Sequence, residues 1–143
     1  MISLNLIDVK KPAFLKLREL KSYLKDIIVT EGFRPGDLSL VLCTDEYLLK
    51  VNQDFLQHDY YTDIITFDYC KDGKIHGDLM ISLDRVLENS AIQKTSFEEE
   101  LYRVVFHGTL HLCGYKDKVK KDILLMRSKE AQYLNRHVSR ETL

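Results

Sequence analysis

Residues 96–117 read SFEEELYRVVFHGTLHLCGYKD and contain a helix start, a helix stop and three groups that ligate metals. Ser96 and Glu99 have the spacing of a capping box, in which each can satisfy a backbone N–H of the other that the helix start leaves free. At about 100° per residue, Leu101, Val105, Gly108 and Leu112 fall on one stripe, which predicts the face turned to a core. Gly114 follows as a left-handed stop. A helix therefore runs from behind Ser96 almost to Gly114.

His107 and His111 are four residues apart, so their imidazoles project from one face about a turn apart, along the edge of the apolar stripe. That suits two ligands of one metal ion, and it also suits two partly buried structural histidines. The continuation favours the metal. Gly114 stands three residues after His111 and Asp117 three after Gly114, giving H-x3-H-x2-G-x2-D. The spacing matches the long zincin pattern, in which a glycine turns the chain back so that a last residue completes the ligand set. Three protein ligands leave a fourth position open, as catalytic sites require. As a surface residue, Asp117 would instead neutralise Lys116 and Lys118. A metalloprotease of this type needs Glu directly after the first histidine, and that position is Gly108, which counts against peptide hydrolysis.

Outward from this helix the chain alternates patterns. Ile2, Leu4 and Leu6 have the period of a half-buried strand. Pro12 is suited to open a helix whose stripe is Leu15, Leu17, Leu20, Leu24, Ile27 and Ile28 and whose end is Gly32. Leu38, Leu40 and Leu42 predict a second strand, and Thr44 caps a short helix through about Asp54. Residues 64–70 and 75–83 predict two strands around Asp72-Gly73, the strongest short hairpin signal. Helices over about 84–93 and 119–137 complete the pattern. The expected fold is α+β: a small mixed four-stranded sheet packed with about five helices, with a zincin-like metal-site helix, in one domain over residues 1–143.

A chain of 143 residues buries about 68% of its unfolded surface and needs no disulfides. Cys43, Cys70 and Cys113 are widely spaced without a CxxC pair, so reduced core thiols are expected. No apolar run approaches the ~18 residues of a membrane span, and the N-terminus lacks the pattern of a cleaved signal, which argues for the cytoplasm. The net charge of −1 is unevenly spread. Residues 37–100 hold 14 acidic and 5 basic side chains, whereas residues 116–143 hold 8 basic and 4 acidic. The C-terminal end could face phosphates, or simply form a solvated helix.

HGTLHLCGY, residues 107–115, resembles the signature of the YbeY family of bacterial rRNA-maturation endoribonucleases. Val51-Asn52 leading to Tyr61-Thr62-Asp63-Ile64-Ile65-Thr66-Phe67 resembles that family's LN…PTDVLSF, and Gly77-Asp78-Leu79 resembles its GDI. The likeness spans residues 51–117 in order. Three departures stand out. Asp117 occupies a ligand position where most members have His, Leu56 follows Phe55 where the family usually has Arg, and Tyr61 precedes Thr62 in place of Pro. Lys116, Lys118 and His58 are the candidates to replace the missing cation.

The resemblance implies a metal-dependent, single-strand-specific endoribonuclease acting in rRNA maturation at the 16S rRNA 3′ end and in ribosome quality control. Its partners would be rRNA and the ribosomal small subunit, with no membrane involved. One divalent ion per chain is expected on His107, His111 and Asp117, zinc by ligand type, although such a site also suits nickel, iron or manganese. The ion would activate a bound water or polarise a phosphodiester oxygen. Basic residues of the last helix would hold the RNA backbone. Thr62, Asp63 and Asp78 are carried over near the metal helix, where either carboxylate could orient a ligand imidazole or merely support a strand. Two other readings stay open: a metallohydrolase of another substrate class, and a non-catalytic ribosome-assembly factor braced by its metal, which Leu56 favours.

Overall fold

The computed structural model describes residues 1–58 and 60–138. Their elements run β1 (Ile2–Leu6), α1 (Leu17–Thr30), β2 (Arg34–Cys43), α2 (Asp45–Leu56), β3 (Ile64–Asp68), β4 (Lys74–Ser82), α3 (Leu83–Gln93), α4 (Phe97–Leu112) and α5 (Lys120–His137). The sheet has the order β1-β2-β4-β3. β1, β2 and β4 are parallel, and β3 runs antiparallel to β4 at the edge. This is the mixed four-stranded sheet with five helices that the sequence patterns imply. Among the described residues, no helix is long and apolar enough to cross a membrane.

The antiparallel pair follows from Asp72-Gly73. Both residues have positive φ, 52° and 79°, and Lys71 and Lys74 exchange two backbone hydrogen bonds around them. This two-residue turn has the handedness that matches strand twist. The start of α1 differs from expectation. Residues 12–16 form an isolated turn closed by Leu15 N–H on the Pro12 carbonyl at 3.0 Å, and the helix begins only at Leu17. Leu15 is nevertheless fully buried, because the turn itself delivers it to the core. Its place in the apolar stripe therefore says nothing about helix.

Side chains alternate across the sheet. Leu38, Leu40 and Leu42 of β2 and Ile75, Leu79 and Ile81 of β4 are buried in the main core with α1 and α4. Each such side chain contributes roughly 1.5–3 kcal/mol relative to exposure. On the other face a smaller cluster of Cys43, Leu48, Val51 and Ile65 lies under α2. Two glycines let α4 approach the sheet. A Cβ on Gly108 would stand 2.7 Å from Ile64 Cδ1 and 2.8 Å from Leu79 Cδ2, and one on Gly77 would stand 2.5 Å from the Phe67 carbonyl oxygen and 3.0 Å from Leu112 Cδ1. A long side chain directly after His107 would have to displace the sheet beneath it. The position that a protease base would occupy is thus a packing contact.

Candidate metal centre

α4 is capped as its sequence suggests, with Ser96 Oγ accepting from Glu99 N–H at 3.0 Å. The helix ends in a Schellman arrangement. Gly114, at φ 106°, donates to the His111 carbonyl, and Tyr115 N–H donates to the Leu110 carbonyl. The reversal has two results. It carries Asp117 back over the histidines, and it brings the Tyr115 carbonyl within 2.7 Å of His111 Nδ1.

The Asp117 carboxylate faces both imidazoles, with Oδ2 3.1 Å from His107 Nε2 and Oδ1 3.5 Å from His111 Nε2. Donor atoms about 2.0–2.1 Å from a tetrahedral ion are themselves about 3.3 Å apart, so the spacing fits one small cation. One ligand atom from each of the three residues lies within 4.8 Å of the others. Hydrogen bonding supports the same fit. His107 Nδ1 is 2.7 Å from Glu130 Oε2, and His111 Nδ1 faces a carbonyl. A carboxylate and a carbonyl only accept, so each Nδ1 carries its hydrogen and each Nε2 is left to point at Asp117. The two Nε2 lone pairs and the Asp117 carboxylate thus face one another, an arrangement that one metal ion can bridge.

Glu130, on α5, is 2% exposed, and sequence reasoning missed it. Burial pushes its carboxyl upward, yet the hydrogen bond with His107 and the Arg103 guanidinium at 3.1 Å outweigh it and hold the pKa below the usual glutamate value. Arg103 is itself held by the buried Glu100 through two bonds of 2.9 and 2.7 Å. The available signal was positional. Met126, Glu130, Tyr133 and Leu134 share the buried face of α5, so Glu130 is an acid in an apolar stripe.

The cluster opens into a cleft of about 580 Å³ whose lining includes Asn52, Leu56, His58, Tyr60, Thr62, Asp63, Asp68 and Lys118. Thr62 and Asp63 thus join His107, His111 and Asp117. Neither Asp63 nor Asp78 takes the imidazole hydrogens, since Glu130 and the Tyr115 carbonyl hold both. Asp78 lines a separate cavity with Ser3, Asp37 and Ser39. Strand alternation is the reason: Gly77 and Leu79 face α4, so Asp78 points to the opposite side. Lys116 and Lys118 also part company, Lys116 bordering a cavity with Glu31, Cys113 and Tyr115.

The basic residues of the last helix are largely occupied within the chain. Arg127 pairs with Glu130, Lys129 with Glu31 and Arg136 with Asp26. His137, at the end of the helix, stacks on Tyr23 with ring centroids 4.5 Å apart and bonds Asp26 at 2.8 Å. The three cysteines are free thiols, and burial pushes Cys43 and Cys113 up to about 12 and Cys70 to about 11. They are not nucleophiles at neutral pH.

Fold and site together define an α+β protein that carries, on one helix and the turn behind it, a His-His-Asp cluster able to hold a metal ion on the lining of a cleft. The family model described as Endoribonuclease YbeY matches residues 7–138. The Endoribonuclease YbeY of Flavobacterium psychrophilum is 49% identical over 122 residues, covering 83% of this chain and 87% of its own. That of Phocaeicola vulgatus is 43% identical over 134 residues, covering 94% and 96%. In the solution structure of TM1509 from Thermotoga maritima the fold recurs with a TM-score of 0.65 and 26% identity, over 95% of this chain and 91% of that one. The chain belongs to the YbeY endoribonuclease family.

Proposed function

We propose that this chain is a metal-dependent endoribonuclease that cuts single-stranded RNA in the cytoplasm, acting in rRNA maturation at the 16S 3′ end and in quality control of the small subunit. The observation that carries the reading is the convergence of three ligand side chains on one point of the cleft, in a chain whose relatives are named endoribonucleases. His107, His111 and Asp117 would hold one divalent ion, with zinc favoured by the donor set. Such an ion supplies Lewis acidity, which polarises a phosphodiester oxygen or acidifies a coordinated water.

The chain's own residues prepare this chemistry. Glu130 and the Tyr115 carbonyl fix the tautomer and orientation of the two imidazoles, as partners behind ligand histidines do. Ile64 and Leu112 add apolar surface to the lining of the cleft. Lys118 lines the cleft and would attract a phosphate, while Asp63 and Asp68, also on its lining, would repel one. Leu56 lines the cleft at the position where the resembled family usually has Arg, so this chain places an apolar side chain there and no cation.

The deciding experiment is cleavage of a labelled single-stranded RNA before and after chelation, in the parent and in His111→Ala. The expected result is chelator-sensitive cutting, lost in the variant, with casein left intact. Binding of RNA without any cleavage, with chelation changing only thermal stability, would establish the non-catalytic assembly factor instead.

A further inference from the structure

We propose that the stacked His58–Tyr60 pair is a nucleobase platform that seats one base of single-stranded RNA on the wall of the cleft beside the metal cluster. This rests on the endoribonuclease reading and assigns the substrate contact that Leu56 leaves open. The two rings lie 5.1 Å apart with planes inclined by 21°, and Tyr60 Oη is 3.0 Å from His58 Nδ1. Both residues line the cleft that contains His107, His111 and Asp117. Although His58 covers one face of its ring, Tyr60 remains 56% exposed. An aromatic ring left in water forgoes burial that would stabilise the fold. This one is nonetheless held in place.

The holding residue is Asn52, which is 2% exposed. Its side-chain Nδ2 donates to the Tyr60 carbonyl at 2.9 Å, and its own carbonyl accepts from His58 N–H at 3.1 Å. One buried residue of α2 thereby fixes the backbone on both sides of the pair. Asn52 therefore acts as a positioning residue for the pair.

The electrostatics of the cleft point to a base on this wall and away from a phosphate. Asp63 and Asp68 add negative charge to that of Asp117, with Lys118 opposing them. A π face attracts a base without needing positive charge and accepts any of the four bases. Leu56, 41% exposed, also lines the cleft and adds apolar surface to it.

The test uses the metal-loaded protein, a labelled oligoadenosine decamer as substrate and an abasic ribose-phosphate decamer of equal charge as competitor. Tyr60→Ala is expected to raise KM for oligoadenosine about tenfold, in keeping with the usual weight of base–aromatic stacking, while the inhibition constant of the abasic decamer stays at the parent value. Tyr60→Phe keeps the ring and recovers most of the loss, whereas Tyr60→Leu, apolar but without a π face, does not. Metal content of one equivalent in each variant shows that the cleft is intact. Parental KM in Tyr60→Ala, or an equal weakening toward the abasic decamer, overturns the platform while leaving the nuclease standing. If the parent cuts no RNA, the endoribonuclease reading falls and takes the platform with it.

Discussion

Glu130 Oε2 lies 2.7 Å from His107 Nδ1, joining α5 to the helix that carries both histidines. The contact belongs to a part-buried chain in which Glu100 holds Arg103, Arg103 reaches Glu130, and Glu130 holds His107. Arg103 precedes His107 by one helical turn, so α4 supplies both the candidate ligand and the cation that keeps that histidine's partner ionised. The expected consequence is that Glu130→Gln, which can still accept a hydrogen bond but carries no charge, lowers metal affinity by roughly ten- to a hundredfold. Glu130→Ala leaves Arg103 and His107 without this partner and costs roughly 3–5 kcal/mol of stability as well. Chelator competition and thermal unfolding measure the two effects. Parental affinity in Glu130→Ala would show that His107 needs no orientation.

Metal titration assigns the ligands. The parent is expected to bind one equivalent, and His107→Ala and His111→Ala to bind none at stoichiometric concentration. Asp117→Ala weakens binding strongly, and Asp117→Asn also weakens it, because a neutral amide oxygen is a poorer ligand than a carboxylate. Unchanged affinity in Asp117→Ala would remove Asp117 from the site and reduce it to a surface acid worth at most ~1 kcal/mol.

Gly77 and Gly108 should respond differently to alanine. At Gly108 the new methyl meets the ends of Ile64 and Leu79, which can shift, and alanine also favours the helix by about 1 kcal/mol. The net loss is expected within about 2 kcal/mol. At Gly77 the methyl meets the Phe67 carbonyl oxygen of the paired strand, which moves only if the β3–β4 ladder opens. Thermal or urea unfolding should therefore rank Gly77→Ala as the more damaging by ~1 kcal/mol or more. The reverse order would mean that α4 does not rest on these strands as described.

Acid sensitivity is expected at Glu31. Its burial acts to raise the pKa, but Tyr115 and Tyr133 donate hydrogen bonds to it and Lys129 lies 3.4 Å away, so the folded value falls below the usual one. The unfolded chain then binds this proton more readily than the folded chain. The stabilisation is complete above the unfolded glutamate value of about 4.3 and disappears as pH falls through the lower, folded value. Glu31→Gln should flatten the acid limb of the Tm–pH curve below about pH 4.5. An acid limb of parental steepness in that variant would place the sensitivity elsewhere.

Much of this was legible without coordinates wherever the signal is local. The cap at Ser96, the stop at Gly114 and the turn at Asp72-Gly73 depend on backbone conformations that a few adjacent residues dictate. The His107–His111–Asp117 cluster was legible for the same reason, since one helical turn and one glycine reversal determine where its members go. Pro12 misled because a proline suits an isolated turn as well as a helix start, and Leu15 is buried from either.

The sequence by itself therefore determined the element types, the capped helix and the three candidate ligands, all of which follow from interactions within about ten residues. Only the tertiary structure decided that Glu130 and not Asp63 or Asp78 holds His107, that Lys118 and not Lys116 enters the cleft, and that Asn52 ties down the His58–Tyr60 pair. Those relationships depend on which face of a strand or helix meets which neighbour. Packing of distant segments sets that choice, and no local pattern encodes it.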